Sequence, residues 1–160
     1  MIPPKIKPYF NVISQSVTHE NSYIEGELSC CQTFSFELKT NGEVKNNLFF
    51  GWRLVSQEEM TINAICKRCG KVISVFDSGC DGYARLEHKK SALGSTNTIR
   101  CKKCKNDAFS LLLKYEYPSD EELETLGLND PEAAFTWIWG TIKCDKCGST
   151  FKNIINFATD

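Results

Sequence analysis

Cysteines are the residues of this chain whose spacing most clearly predicts chemistry. Nine cysteines occur in 160 residues, and six of them form three Cys-x-x-Cys pairs. The pairs are Cys66 with Cys69, Cys101 with Cys104, and Cys144 with Cys147. Such a pair, called a knuckle below, places two thiolates on one tight turn and binds one side of a tetrahedral zinc ion. Two knuckles complete a site, so a chain with three knuckles needs another source of ligands.

The two C-terminal knuckles predict a complete metal site, called site 2 below. Its expected ligands are Cys101, Cys104, Cys144 and Cys147. Four thiolates leave no open coordination position on zinc, so this site is expected to stabilise the fold rather than to catalyse a reaction. Iron is the chemical alternative, because sulfur ligands suit either metal.

The remaining knuckle predicts a second site, called site 1 below, with a less regular ligand set. Its expected partners are the adjacent residues Cys30 and Cys31, which stand where a fourth knuckle would occur. Adjacent side chains normally point in divergent directions, and Cys31 is the better match to Cys104 by its distance from the following strand. The fourth ligand of the site is therefore left open among three residues, Cys30, His19 and Cys80. Two zinc ions are expected in all.

The segments beside the cysteines predict the strands that must hold them. Apolar and polar residues alternate there with period two, and β-branched and aromatic residues are frequent, as in the stripe of Phe34, Phe36 and Leu38. A further strand is predicted over 48–55. Both halves share one order of knuckle or doublet, strand, insert, strand, knuckle and strand, which indicates an internal repeat. The expected fold is mainly β, with two tandem zinc-ribbon-like units over 1–90 and 97–160 and a linker over 88–97.

One or two short helices are expected in the second unit. Ser119 precedes Asp120, Glu121 and Glu122 in a capping-box pattern, and Gly127 provides a C-terminal stop. The segment 130–132 predicts a second short turn, because Pro131 occupies its first helical position.

The distribution of charge favours a protein partner over nucleic acid. The formal net charge is −1, and two zinc ions with eight thiolates would bring the total to about −5. The segment 115–135 contains seven acidic residues and no lysine or arginine. Glu121, Glu122 and Glu124 are its candidate contacts for a basic partner protein.

Cations and tryptophans support an alternative, nucleic-acid-binding function. Lys67, Arg68, Lys102 and Lys103 lie in the knuckles and could contact phosphates, although they would also balance the negative charge of the thiolates. Trp137 and Trp139, grouped with Phe135, could stack on bases. Their spacing better fits a buried strand face, so we expect them in the core.

The organisation resembles that of tandem zinc-ribbon proteins. The residues around 66–83 and 135–139 also resemble an uncharacterised family of small bacterial cytosolic proteins, in which a spaced cysteine pair stands in place of Cys30 and Cys31. This resemblance implies a metal-stabilised fold and no established activity. The first eight residues lack an apolar signal sequence, and no apolar run is long enough to span a membrane. The expectation is a cytoplasmic, non-enzymatic, zinc-binding module of the protein-interaction or inhibitor and immunity type.

Overall fold

Antiparallel strands form most of the computed structural model, which describes residues 1–49, 51–56, 59–86, 94 and 97–159. Strands account for 50% of the described residues and helices for 11%, so the predicted mainly β fold is confirmed. The strands are β1 Phe10–Val17, β2 Asn21–Leu28, β3 Phe36–Thr40, β4 Glu43–Asn47, β5 Gly51–Val55, β6 Thr61–Cys66, β7 Val72–Asp77, β8 Asn97–Thr98, β9 Phe109–Pro118, β10 Trp137–Cys144 and β11 Thr150–Ala158. The helical segments are α1 Asp120–Leu126 and three 3-10 turns, Lys7–Tyr9, Tyr83–Arg85 and Pro131–Ala133.

Nine of the strands belong to one curled antiparallel sheet. Its first part has the order β1-β2-β9-β10-β11, and its second part has the order β3-β6-β7. The two parts meet where Phe36 of β3 pairs with Phe109 of β9. β8 pairs with the edge of β3, and β4 and β5 form a separate hairpin. The sheet can curl at this meeting point because one pair of residues joins its two parts.

Alternation along the strands builds a single hydrophobic core. In β9, every second residue from Phe109 onward is buried, as expected for a strand with one face on the core. β3 follows the same pattern with Phe36 and Leu38, and Ile62 of β6 and Phe76 of β7 are buried in the same cluster. Residues from both halves of the chain contribute to this cluster.

The strands beside the two candidate sites follow one another in corresponding order, and the internal repeat itself stays a prediction. β3, β6 and β7 correspond to β9, β10 and β11, and in each set the second and third strands form an antiparallel hairpin. Phe36 pairs with Cys66 in the first set, and Phe109 pairs with Cys144 in the second. Strands of both predicted units share one sheet, since β2 pairs with β9. The division at 90 and 97 stays a prediction, and most of the predicted linker lies outside the described residues.

Helix α1 begins and ends where the sequence predicts. The Ser119 hydroxyl accepts a hydrogen bond from the Glu122 backbone N–H at 3.2 Å, which caps one of the free donors at the helix start. Gly127 has φ of 58°, a left-handed conformation that glycine adopts without steric cost. Leu123 is the buried residue of the helix, and its acidic side chains face solvent. The predicted turn after Asp130 is also present, as the 3-10 turn Pro131–Ala133.

Two sequence-based expectations about aromatic and apolar residues are wrong. The predicted strand over 48–55 begins only at Gly51, because Leu48 and Phe49 lie at the tip of the β4–β5 hairpin, 97% and 89% exposed. Trp137 and Trp139 are half-buried on the outer face of the sheet, stacked with ring centroids 5.5 Å apart. Alternation along β10 turns Ile138 toward the core instead, so the tryptophans are not core residues.

Candidate metal centres

Eight cysteines form two groups in which all four sulfur atoms lie within 4.8 Å of one another. Site 1 contains Cys30, Cys31, Cys66 and Cys69, and site 2 contains Cys101, Cys104, Cys144 and Cys147. Two sulfur pairs in each group are 3.5 to 3.8 Å apart. A tetrahedron of sulfurs about 2.3 Å from a central zinc ion has edges of about 3.8 Å, whereas a disulfide bond measures about 2.05 Å. The sulfur positions therefore fit a four-thiolate metal centre.

The knuckles of site 2 have matching backbone hydrogen bonds. The Lys105 N–H donates to Cys101 O, and the Gly148 N–H donates to Cys144 O, each at 2.9 Å. Lys105 and Gly148 both have left-handed backbones, with φ of 64° and 71°. A left-handed residue at this position turns the chain back toward the sulfurs. β10 ends at Cys144, so its last residue is already a candidate ligand.

Site 1 combines one regular knuckle with a shorter turn. In the knuckle, the Gly70 N–H donates to Cys66 O at 2.8 Å, as in site 2. In the shorter turn, Cys30 and Thr33 exchange two backbone hydrogen bonds of 3.0 and 2.9 Å. Cys31 and Gln32 are left-handed, with φ of 52° and 61°, which defines a type I′ turn.

The type I′ turn corrects the expectation that adjacent cysteines diverge. Because Cys31 has a left-handed backbone, its side chain turns to the same side as that of Cys30, and their sulfurs lie 3.8 Å apart. The candidate fourth ligand is Cys30, whose sulfur is 3.7 Å from that of Cys69. His19 and Cys80, the other two candidates, are not members of either four-cysteine group.

Arg68 supports the short turn of site 1. Its guanidinium donates a hydrogen bond of 2.8 Å to the Cys31 carbonyl oxygen. This bond holds a non-glycine residue in a conformation that costs about 1 to 2 kcal/mol. The sequence indicated Arg68 only as a cation near thiolates, because the carbonyl that it contacts lies on a distant part of the chain.

Local environment separates the thiols into easily and poorly ionised groups. The Lys71 backbone N–H lowers the pKa of Cys69 to about 7, and the Ser149 hydroxyl and N–H lower that of Cys147 to about 6. Burial raises the pKa of Cys30 to about 12. Metal binding requires thiolates, so a metal ion must displace the proton of Cys30.

Sites 1 and 2 lie side by side and are connected by polar contacts. The Lys67 ammonium is 3.1 Å from the Asp107 carboxylate, and the Ser35 hydroxyl donates to the Asp145 carboxylate. The Lys67 N–H donates to Ser35 O, and the Asp145 N–H donates to Ala108 O, each at 3.0 Å. The two side-chain contacts join site 1 to site 2, and the two backbone hydrogen bonds join the turns within each site, near the pair of Phe36 and Phe109.

The acidic candidate residues lie far from the metal sites. Glu121, Glu122 and Glu124 are exposed on α1, which follows the end of β9 opposite site 2. β9 has ten residues, so this end lies about 33 Å away along the strand.

Comparisons of this chain with models of protein families, with curated proteins and with solved structures found no match. The resemblance to zinc-ribbon proteins therefore rests on the knuckles and stays a prediction. What is established is a pair of adjacent four-cysteine groups that could each hold a metal ion. Among the described residues, the longest helix has seven residues, and no helix could span a membrane.

Proposed function

We propose that the protein is a non-enzymatic binding module, stabilised by two structural zinc ions, that docks a basic protein through α1. Each centre would use four thiolates, which leaves no position for a substrate on the metal. The ions would therefore hold the strand ends together, and binding would take place elsewhere on the surface.

The observation that carries the proposal is the exposed acidic face of α1. Glu121, Glu122 and Glu124 face solvent, and in the described part of the chain none of them is within ion-pair distance of a lysine or arginine. The cations are instead concentrated on the knuckles at the other end of β9. Charges without local partners are available to a partner protein, and they would raise the rate of association with a basic surface.

Salt-dependent binding by charge variants tests the role of α1. The triple variant Glu121→Lys, Glu122→Lys, Glu124→Lys should no longer capture a basic protein from a cytosolic extract. The native protein should capture that protein at low salt and release it as the salt concentration rises. Glu43 is exposed on the separate hairpin, so the variant Glu43→Lys is the control and should bind as the native protein does. Unchanged capture by the triple variant would exclude the acidic face.

Metal analysis tests the zinc assignment separately. Native mass spectrometry of protein purified without added metal should show a mass that includes two zinc ions. The mass of the denatured protein should lack both ions. Two iron ions with visible absorption from thiolate-to-iron charge transfer would contradict zinc, because four thiolates accept either metal.

A nucleic-acid-binding function is the second candidate, and the outer face of the sheet favours it. Trp137 and Trp139 are stacked there, with Lys114 5.4 Å from the Trp139 ring centroid. The expected evidence is quenching of tryptophan fluorescence by single-stranded oligonucleotides, with an affinity that falls steeply as salt rises. No binding at low salt would reject this function.

A further inference from the structure

Strand β1 is an open edge of the sheet. Among the described strands it pairs only with β2, and its residues from Asn11 to Val17 are exposed. These residues include no charged side chain, proline or glycine. Soluble proteins usually protect exposed edges with charges, prolines or bulges. β1 has one such feature, a bulge between Val12 and Ser14, and none from Ser14 to Val17. The edge is therefore available to pair with another strand.

Backbone polar groups of β1 point toward this open edge. The Thr18 N–H donates to Asn21 O at 2.8 Å, and Ser16, two residues earlier, continues the row of pairs with β2. Successive residues of a strand direct their N–H and C=O groups to opposite edges. The N–H and C=O groups of Gln15 and Val17 must therefore point away from β2, where an added strand would meet them.

The sequence of the exposed segment is nearly the same in both directions. Ile13, Ser14, Gln15, Ser16 and Val17 would pair with their own copies about a two-fold axis through Gln15. Gln15 would then face Gln15, each serine would face a serine, and Ile13 would face Val17. β-branched pairs and serine pairs stabilise antiparallel strands. Ile13 and Val17 are 61% and 71% exposed in the single chain, so the pairing would cover apolar surface.

We propose that two copies of the chain associate through antiparallel pairing of their β1 strands, centred on Gln15. The product joins the row β1-β2-β9-β10-β11 of each copy into one continuous row of ten strands, and the two copies are related by a two-fold axis. No like charges would face each other across the pair, since the nearest acidic residue, Glu20, would face Phe10. We assign a second copy of the chain as the partner of this edge because the segment from 13 to 17 is complementary to itself. A strand of another protein need not match this segment.

Sedimentation velocity of the metal-loaded protein tests this association. The contact is short, so it belongs to the weak interfaces smaller than about 1,200 Å², and the protein should be studied from about 5 µM to about 500 µM. The sedimentation coefficient should rise with concentration from that of an 18.1 kDa monomer toward that of a dimer. A native protein that remains monomeric at the highest concentration overturns the proposal.

Two variants of β1 test where the association takes place. Val17→Lys introduces a charge on the edge, and Gln15→Pro removes an N–H that faces away from β2, which an edge strand tolerates. Both should remain monomeric while retaining two metal ions and the native circular dichroism spectrum. If Gln15→Pro does not fold, the exposed substitution Val17→Lys decides the question. Association that survives in a folded Val17→Lys variant overturns the proposal.

A matched control distinguishes pairing at the β1 edge from non-specific association through exposed apolar residues. Leu48→Lys places the same charge on the hairpin tip, at an apolar residue that is even more exposed, and should associate as the native protein does. Loss of association in this control would overturn the proposal in favour of the hairpin. Hydrogen exchange gives a local readout, because the Gln15 and Val17 amides should become protected only as concentration rises.

Discussion

At the scale of single residues, Cys31 determines whether the first metal site can form. Its left-handed backbone places its sulfur beside that of Cys30, and the Arg68 hydrogen bond holds its carbonyl. The turn is two residues shorter than a knuckle but directs two sulfurs to the same point. Backbone conformation, rather than the Cys-x-x-Cys spacing, is what the ligand geometry requires.

Replacing Cys31 tests this ligand set. Cys31→Ser should lower the metal content from two ions to one, because three thiolates and a hydroxyl bind zinc far more weakly than four thiolates. Native mass spectrometry measures the content directly. Cys80→Ser is the control and should retain two ions, since Cys80 belongs to neither group. Loss of an ion from the control would contradict the assignment.

The left-handed backbone of Gln32 lowers the stability of the folded protein, and a substitution can remove this effect. It is left-handed, with φ of 61°, a conformation that costs a residue with a side chain about 1 to 2 kcal/mol. Gln32→Gly should raise the free energy of unfolding of the metal-loaded protein, measured in urea, by about 1 kcal/mol. The greater conformational entropy of glycine in the unfolded chain reduces this gain. Gln32→Val should lower it. Equal stability of the two variants would show that the turn is not left-handed in solution.

At the scale of elements, the strands end where the ligands begin. β6 ends at Cys66 and β10 ends at Cys144, so strand pairing directly places one ligand of each of these two knuckles. The stability of helix α1 depends instead on the hydrogen bonds at its ends, because the helix has seven residues and one buried side chain, Leu123. Its N-terminal cap therefore contributes a large share of its stability.

Removing the cap tests the stability of α1. Ser119→Ala should lower the stability of the helix by about 1 kcal/mol, because the Glu122 N–H loses its acceptor. Hydrogen exchange of the α1 amides should become several times faster, whereas that of β9 should not change. Ser119→Asp keeps an acceptor and should exchange as the native protein does. Equal rates in the alanine variant would mean that packing alone holds the helix.

At the scale of the whole molecule, charge and metal sites are distributed along one axis. Both sites lie at the end where Phe36 pairs with Phe109, with nine of the 19 lysines and arginines in or beside their knuckles, and the acidic helix lies at the other end. Phe36 also pairs with Cys66, and Phe109 with Cys144, so each site anchors one part of the curled sheet. The junction between the parts should depend on both ions.

Chelation tests this dependence. Removal of both metal ions at neutral pH should abolish cooperative thermal unfolding and expose the amides of β3 and β6 to exchange, because no ion then bridges the four sulfurs of each site and the strand ends can separate. Added zinc should restore the native spectrum. Magnesium should not, since it prefers oxygen ligands. A metal-free protein with unchanged exchange would show that the core is sufficient without ions.

Local chemistry in the sequence determined much of this protein. The knuckles, the alternation of β9, the Ser119 cap and the glycines after two knuckles all act over a few residues, so they could be predicted without a structure. The mainly β fold also followed from this local alternation.

Only the tertiary structure determined the features that join distant segments. The fourth ligand candidate of site 1 depends on a left-handed turn supported by Arg68, and the outward position of the tryptophans depends on which face of β10 meets the core. The open edge of β1 exists because β2 pairs on its other side with β9, from the far half of the chain. Local spacing cannot specify such contacts, because strand order and register are set by the packing of the whole sheet.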